Sequence, residues 1–420
     1  MEKEKMFLFT NGYPYGKGEK SFIEPEINAL KDIYELTIVS YASPEDIKDT
    51  SHLSQLDEEI NNIIVQISES KFSKILNSFL AFLDPKWIRE LISILKTRQK
   101  VIARIKESLS FYVCAKKIYR WIKKNGILDG TKNSIVYSFW NTTYALALCW
   151  YKERYGEFSL VSRIHGYDLF NERVERGQRQ PFKCYMDSVE DMVIFASVDG
   201  FRYYVDHFAE NKNSKKYHVL RLGVPELKIS RELAKSDRFE LVSCSNLIPL
   251  KRVDLIIRTL AVLPDFVKIK WTHFGTGTLQ PELEKLAERM LGEKTGVSYD
   301  FACFIKNEEL LRLYSSKYVD CFIALSSSEG GCPVSIMEAM SAGIPIIATD
   351  VGGMAEEVFE NGILLSENPG VEEVKNAIIS IYGKSDEEIA QMRNASRSIW
   401  DERFNQEKNL KSLVRVLGSL

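Results

Sequence analysis

The sequence lacks most of the local signatures from which chemistry is read in a single chain. Its seven cysteines are scattered with no CxxC pair, and the start MEKEKMFLF holds far too short an apolar run for a secretory leader, so reduced thiols and a cytoplasmic setting are expected. No stretch approaches the roughly 20 apolar residues of a membrane span. There is no G-x-G-x-x-G, no G-x-S-x-G serine elbow and no H-E-x-x-H, which removes the usual sequence warrants for a dinucleotide fingerprint, a hydrolase triad or a zinc protease. A catalytic metal is not expected, and no internal repeat of solenoid period is visible. Charge of one sign is not in excess either: 56 Lys and Arg stand against 58 Asp and Glu, so bulk attraction to nucleic acid is not indicated.

What is present is concentrated between Ser326 and Gly353, SSSEGGCPVSIMEAMSAGIPIIATDVGG. The preceding run Val319 to Leu325, VDCFIAL, reads as a parallel strand buried on both faces. A turn at Ser328, Glu329, Gly330, Gly331 and Cys332 follows. Pro333 suits the first position of a helix, where its missing N–H is no loss, and the helix is expected to stop at a left-handed Gly343 before a second strand, IPIIAT. A helix N-terminus behind a glycine turn offers unpaired N–H groups to a phosphate or a polar sugar, and Glu329 and Glu338 frame it as acceptors for hydroxyl groups. By residue type alone, this corner fits either a ligand site or a capped core helix.

The full string resembles the donor-sugar motif of retaining GT-B glycosyltransferases of family 4, in which two glutamates flank a Gly/Pro-rich turn and lead into EAM-x-x-G-x-P. One departure is visible: eight residues separate Glu329 from Glu338, where the family has seven, and the Gly330-Gly331 pair is expected to absorb the extra residue. Further matches follow along the chain. Arg163-x-His165-Gly166-x-Asp168 stands where the family places a histidine facing donor sugar and phosphate, and Asp168 is expected to orient that loop. Lys251 matches the family lysine on the donor diphosphate, whereas Asn246 stands where an arginine is common and removes one charge from the clamp. Gly275-Thr276-Gly277 resembles the family G-x-G loop, and Phe304 to Lys306 falls near the nucleotide base.

The resemblance therefore implies an α/β chain of GT-B type: two Rossmann-like, doubly wound domains facing across a cleft, with a C-terminal helix crossing back to the first. It implies catalysis by His165, Glu329 and Lys251. It implies donor contacts at Gly16, Gly18, Asn246, Lys251, Gly275, Ile305, Glu329, Gly330, Gly331, Cys332, Pro333, Val334 and Glu338, and acceptor contacts at Lys17, Trp140 and Asp168. The donor is expected to be a UDP- or GDP-linked sugar with no further cofactor, and the acceptor a saccharide or lipid-linked saccharide, as in cell-surface polysaccharide synthesis. An epimerase or phosphorylase on the same architecture, or a sugar-binding protein with a decayed site, stays open.

At 420 residues with 45% hydrophobic content, two domains are expected. Strand patterns at Lys5 to Thr10, Tyr34 to Tyr41, Ser134 to Phe139, Ser159 to Ile164, Met192 to Ala196 and Tyr217 to Leu220 belong to a first domain, 1–221. A linker follows at 222–238. The run Phe239 to Asn246 opens a second domain, 239–398, and 399–420 is expected to return to the first. Within the first domain, 68–124 has helical spacing, with Phe72, Ile75, Leu76, Phe79 and Leu83 on one face and a break at Pro85. Lys71 to Lys124 holds fourteen Lys and Arg against three Asp and Glu, a net charge of +11 in a chain whose total is −2. With Phe72, Phe79, Phe82, Leu83, Trp87 and Trp121 interleaved, this is the composition of helices on an anionic membrane surface, or of a solvated helical face. The first alternative implies peripheral docking at the inner face of a membrane.

Overall fold

The computed structural model describes residues 3–16, 19–42, 47, 53, 56–65, 77–174, 177–229 and 233–420. They form two compact units, Met1–Leu220 with Leu410–Leu420, and Arg221–Asn409. In the first unit, seven parallel strands run β1 (Glu4–Thr10), β2 (Tyr34–Tyr41), β3 (Asn61–Val65), β4 (Ile135–Ser138), β5 (Ser159–Ile164), β6 (Met192–Phe195) and β7 (Tyr217–Val219). Their order across the sheet is β3-β2-β1-β4-β5-β6-β7. The connecting helices are α1 (Lys20–Leu30), α2 (Pro85–Thr97), α3 (Val101–Asn125), α4 (Thr143–Tyr155), α5 (Lys183–Val189) and α6 (Val198–His207). The apolar runs of β4 and β6 are buried along their whole length, as strands covered by helices on both faces must be. α4 goes further, with Tyr144 through Tyr151 all buried; it is the central layer of one face rather than an amphipathic surface helix.

The second unit repeats the plan with β8 (Phe239–Cys244), α7 (Val253–Ala261), β9 (Ile269–Phe274), α8 (Gln280–Leu291), β10 (Val297–Phe301), α9 (Asn307–Ser316), β11 (Cys321–Ala324), α10 (Val334–Ser341), β12 (Ile346–Thr349), β13 (Gly362–Leu365), α11 (Val371–Tyr382) and α12 (Asp386–Ile399). Its six strands lie in the order β10-β9-β8-β11-β12-β13. In both sheets the order reverses once, between β1 and β4 and between β8 and β11. Chains leave those two strands in opposite directions, which opens a crevice at their carboxyl ends.

Several sequence expectations are refined. Leu222, Val224, Leu227 and Ile229, within the expected linker, pack into the core of the second unit. Of the segment expected to return to the first domain, 399–409 belongs to the second unit and 410–420 to the first, where Leu413 and Leu417 on α13 (Gln406–Leu417) are buried. The break expected at Pro85 is present: helical turns at 77–81 end before it, and Pro85 starts the next helix, with Asp84 as its N-cap accepting from the Lys86 N–H at 2.9 Å. Trp87, expected on the basic surface, is fully buried, and Trp121 packs against the same core. Phe72, Ile75 and Leu76 lie outside the described residues. No helix among the described residues is long and apolar enough to cross a membrane.

Beneath the crevice of the first unit lies a buried ion pair. Arg163 on β5 and Glu26 on α1 are 2% and 3% exposed, and Arg163 Nη2 stands 2.7 Å from Glu26 Oε1. Arg163 Nε donates to the Tyr137 hydroxyl at 3.1 Å, that hydroxyl donates to Glu26 Oε2 at 3.0 Å, and Arg163 Nη1 donates to the Leu220 carbonyl at 3.1 Å. Removing one charge from such a pair leaves the other buried without a partner, which costs about 3–5 kcal/mol, whereas replacing both by apolar groups is far milder. Glu26→Leu should therefore be more destabilising in urea unfolding than Glu26→Leu combined with Arg163→Leu; equal loss in both would contradict a charge-based role.

Candidate active site

The crevice of the second unit is built by two close backbone crossings, which involve the ends of four strands. Beyond β9, Gly275 has φ +135°, and a Cβ there would stand 2.0 Å from the Ser245 carbonyl oxygen; no other residue fits. Its N–H donates to the Cys303 carbonyl at 2.7 Å, and the Leu247 N–H donates to the Thr276 carbonyl at 2.9 Å, so the G-x-G loop is stitched beneath the loop after β8. Beyond β12, Gly352 has φ +61°, and a Cβ would stand 1.9 Å from the Glu329 carbonyl oxygen. The expected adjustment at Gly330-Gly331 does not use left-handed backbone: the positive φ angles of this region fall at Gly343, Gly352 and Gly353. Arg252, which follows Lys251, ties the loops together by donating to the carbonyls of Leu325 at 2.5 Å, Ser326 at 2.7 Å and Glu367 at 2.9 Å. That role is not visible from its place in the sequence.

This framework holds the charged groups. Lys251 Nζ and Glu329 Oε1 form an ion pair, with side chains 19% and 13% exposed, at the wall of a recess that also takes in Ser243, Ser245, Pro333 and Ser335. Pro333 is the N-cap of α10 rather than its first residue: its ψ of 141° is extended, and no side chain caps the helix. The first-turn N–H groups of α10 thus lack a side-chain acceptor where the recess opens. Gly331 and Cys332 are buried, while Gly330 and Val334 are partly exposed. The Cys332 side chain packs in the core, so a ligand meets this residue only through its backbone. Asn246 is exposed at the end of β8, and Ile305 packs partly buried against the core, with Phe304 beside it 74% exposed.

Glu338 lies one level deeper, 4% exposed, and accepts from Asn307 Nδ2. Burial pushes its carboxyl up to about 7, against which the Asn307 hydrogen bond works only in part. His273, at the end of β9, is a structural neighbour. Its Nδ1 meets the Ser243 hydroxyl at 2.8 Å, its Nε2 lies 3.2 Å from the Ser245 carbonyl, and burial lowers its pKa to about 4.

The first unit has its own cluster at the β1/β4 crevice. Glu19, which the sequence did not single out, is 6% exposed and accepts from the N–H groups of Asn11 at 3.0 Å, Gly12 at 2.8 Å and Tyr13 at 2.8 Å, and from Trp140 Nε1. It fixes the glycine loop and the Trp140 ring together. A carboxylate just before a helix and after a glycine turn was the available signal. Gly16 approaches Gly12 closely, where an added Cβ would lie 3.2 Å from the Gly12 Cα; Lys17 and Gly18 lie outside the described residues. The His165 ring lies beside that of Trp140, tilted by 41° with ring centroids 4.2 Å apart, and neither ring nitrogen has a hydrogen-bond partner among the described residues. Burial first, and the Arg163 guanidinium second, hold its pKa well below the ordinary 6.5.

Asp168, expected to touch an acceptor, is 1% exposed and accepts from the His165 N–H at 2.7 Å and the Asn141 N–H at 2.7 Å. It orients the loop, as expected, and has no free face for a ligand. Under it, Lys183 donates to the Asn141 carbonyl at 2.5 Å and to the Asn141 side chain, which in turn donates to Glu190 at 2.6 Å. Burial lowers Lys183 to about 8 and raises Glu190 to about 7. Among the described residues no group of three or more His, Cys, Asp or Glu is placed to hold a metal ion.

The Glu338 shift has a defined sign. A carboxyl raised from 4.5 to about 7 keeps its proton in the folded state after the unfolded state has lost it, so it costs stability as pH rises through that window and nothing further above it. Glu338→Gln should therefore gain about 2–3 kcal/mol relative to the parent between pH 5 and pH 8 in urea unfolding. A pH-independent difference would show that the carboxyl titrates normally.

Residues 226–399 match the family described as Glycosyl transferases group 1. The chain is 24% identical over 216 residues to the amylovoran biosynthesis glycosyltransferase AmsK of Erwinia amylovora, covering 49% of this chain and 52% of that one. It thus spans about half the length of the curated relatives it matches. The structure is similar to the lipopolysaccharide outer core galactosyltransferase WaaB, with TM-score 0.66 and 14% identity over 99% of both chains. It is also similar to Anabaena HepE in complex with UDP-glucose, with TM-score 0.65 and 15% identity over 99% of this chain and 100% of that one. The chain accordingly has the α/β fold of GT-B glycosyltransferases, built from two Rossmann-like parallel-sheet units, and the match to the group 1 family falls within its second unit.

Proposed function

We propose that the protein transfers a sugar, with retention of anomeric configuration, from a nucleoside diphosphate sugar to a saccharide or lipid-linked saccharide in polysaccharide synthesis. The observation that carries this reading is the recess of the second unit, where Lys251, Glu329 and the uncapped N-terminus of α10 meet at the sheet's switch point with Glu338 behind them. Support also comes from a relative named for amylovoran biosynthesis and a neighbour holding UDP-glucose. In this reading, Glu338 accepts hydrogen bonds from the ribose hydroxyls and Glu329 from the sugar. Lys251 and the first N–H groups of α10 neutralise the diphosphate. The acceptor oxygen bonds to the anomeric carbon as the bond from that carbon to the diphosphate breaks, and the acceptor proton passes to the departing phosphate oxygen. Orientation and leaving-group stabilisation supply the rate. The donor nucleotide in this reading is UDP or GDP.

Asn246 favours one rival, a sugar-binding protein that no longer transfers, because it leaves the diphosphate with one fewer cation. Incubating the protein with a donor panel, with and without acceptor saccharides, discriminates. Transfer supports the proposal, donor interconversion or phosphorolysis assigns the other enzyme classes, and binding without turnover assigns the rival.

The Lys251–Glu329 pair sharpens the expected mutational pattern. Lys251→Ala both removes a cation and leaves Glu329 uncompensated beside the diphosphate, so calorimetry should show nucleoside diphosphate weakened by about tenfold or more while bare nucleoside is spared. Adding Glu329→Gln to that variant should restore part of the loss. Glu329→Gln alone should spare free nucleotide and lower kcat by about 10²-fold or more, whereas Glu338→Ala should weaken nucleotide and nucleoside alike. Equal weakening of nucleoside and nucleoside diphosphate by Lys251→Ala would make the lysine structural.

A further inference from the structure

The helical segment inserted between β3 and β4 has a surface that the transfer reading does not use. Of eighteen large apolar side chains left exposed among the described residues, eight lie between Phe79 and Ile102. Phe79, Leu83 and Ile102 are 70%, 69% and 72% exposed. α2 shows why this is not a few scattered side chains. Its inner face buries Trp87, Glu90 and Ile94, while Ile88, Ile92 and Leu95, spaced by four and three residues, form a second apolar stripe on the outside, 37%, 47% and 51% exposed. A helix that only met water would be polar on that face.

The charges around the stripe are of one sign. Arg89, Lys96, Arg98 and Lys100 are exposed and make no ion pair among the described residues. Both acids of the segment are spent inward. Asp84 caps α2 and accepts from the Tyr112 hydroxyl at 2.7 Å, and buried Glu90 accepts from Arg179 at 3.0 Å. Arg98 and Lys100 hold φ of 53° and 44°, a left-handed conformation unfavourable for their residue type, in the turn that presents them. Leu80 and Leu83 also rim an open recess whose wall carries Lys116 and Arg120.

An apolar stripe edged by exposed cations with no exposed carboxylate is complementary to an anionic bilayer: the aliphatic side chains enter the acyl boundary while Lys and Arg meet the phosphates. We propose that residues 79–102 dock the protein on an anionic lipid surface, with the outer face of α2 as the inserted element. The whole basic stretch 71–124 is not required, since α3 spends its apolar face in the core. A face meant for another protein, or for a second copy of this chain, gives no reason for the one-sided charge.

Co-sedimentation of the full chain with phosphatidylcholine vesicles and with vesicles containing phosphatidylglycerol tests this. Binding is expected to the anionic vesicles at low salt and to fall by about tenfold or more at high salt. Ile92→Asp with Leu95→Asp should lower it by a similar factor, and Arg89→Glu with Lys96→Glu should abolish the preference for anionic lipid. All four side chains are exposed or nearly so, so unchanged thermal melts will confirm that the variants fold. No sedimentation with anionic vesicles at low salt, or wild-type binding by Ile92→Asp with Leu95→Asp, overturns the proposal. If that variant instead converts a lipid-free dimer to a monomer in light scattering, the face belongs to self-association. The proposal does not rest on glycosyl transfer: turnover of a soluble acceptor by the variants reports on that reading separately.

Discussion

The second unit depends on two places where backbone passes against backbone with no room for a side chain. Gly352 lies against the Glu329 carbonyl and Gly275 against the Ser245 carbonyl, each so close that a Cβ would overlap the oxygen. These contacts fix the loop after β9 against the loop after β8, and the loop after β12 against the loop after β11, before any charged group is considered. Arg252 adds bonds to three carbonyls across the same gap. Lys251 and Glu329 then come together from loops separated by 78 residues in the chain. The ion pair is a consequence of that backbone framework and not its cause, because an ion pair this close to solvent contributes little on its own.

A similar logic runs through the first unit with different chemistry. There the loops are held by carboxylates that accept backbone N–H groups: Glu19 for the glycine loop and Asp168 for the loops of Asn141 and His165. Such bonds to an ionised acceptor are stronger than neutral ones. They also explain why both acids are buried: each has enough donors to replace the water it has lost. Asp168 has Lys183 below it as well, so the loop carrying His165 rests on a polar layer whose members are joined through Asn141.

Much of this was legible in the sequence, and the reasons differ by element. The strand-forming runs at Tyr34 to Tyr41 and Ser159 to Ile164, held between polar turns, give strands whose limits the structure reproduces. Gly343 is left-handed where the helix was expected to stop. β3 was missed: Asn61 and Asn62 open it, and its five residues hold too little pattern to separate it from a loop. Trp87 was placed on the surface because composition counts residues without assigning faces, whereas helical spacing from Trp87 to Glu90 and Ile94 turns it inward. Glu19 and Arg252 were invisible for a third reason. Their function is to hold backbone groups distant in sequence, and nothing near them in the chain announces those partners.

The state of His165 limits the chemistry open to that ring. The resemblance assigns it to sugar and phosphate, and a protonated ring would add a cation to the departing diphosphate. The structure does not favour that. Burial and the Arg163 charge both oppose protonation, and among the described residues no carboxylate partners either ring nitrogen. Asp168 is near, but its oxygens are taken by backbone N–H groups. At neutral pH the ring is therefore an uncharged group with one N–H donor and one lone pair, both unpaired among the described residues, beside the tilted ring of Trp140. Such a ring suits a sugar hydroxyl, which offers a donor and an acceptor in return, better than a phosphate, which offers only acceptors. In the proposed reaction, compensation of the diphosphate charge then falls to Lys251 and the N-terminus of α10.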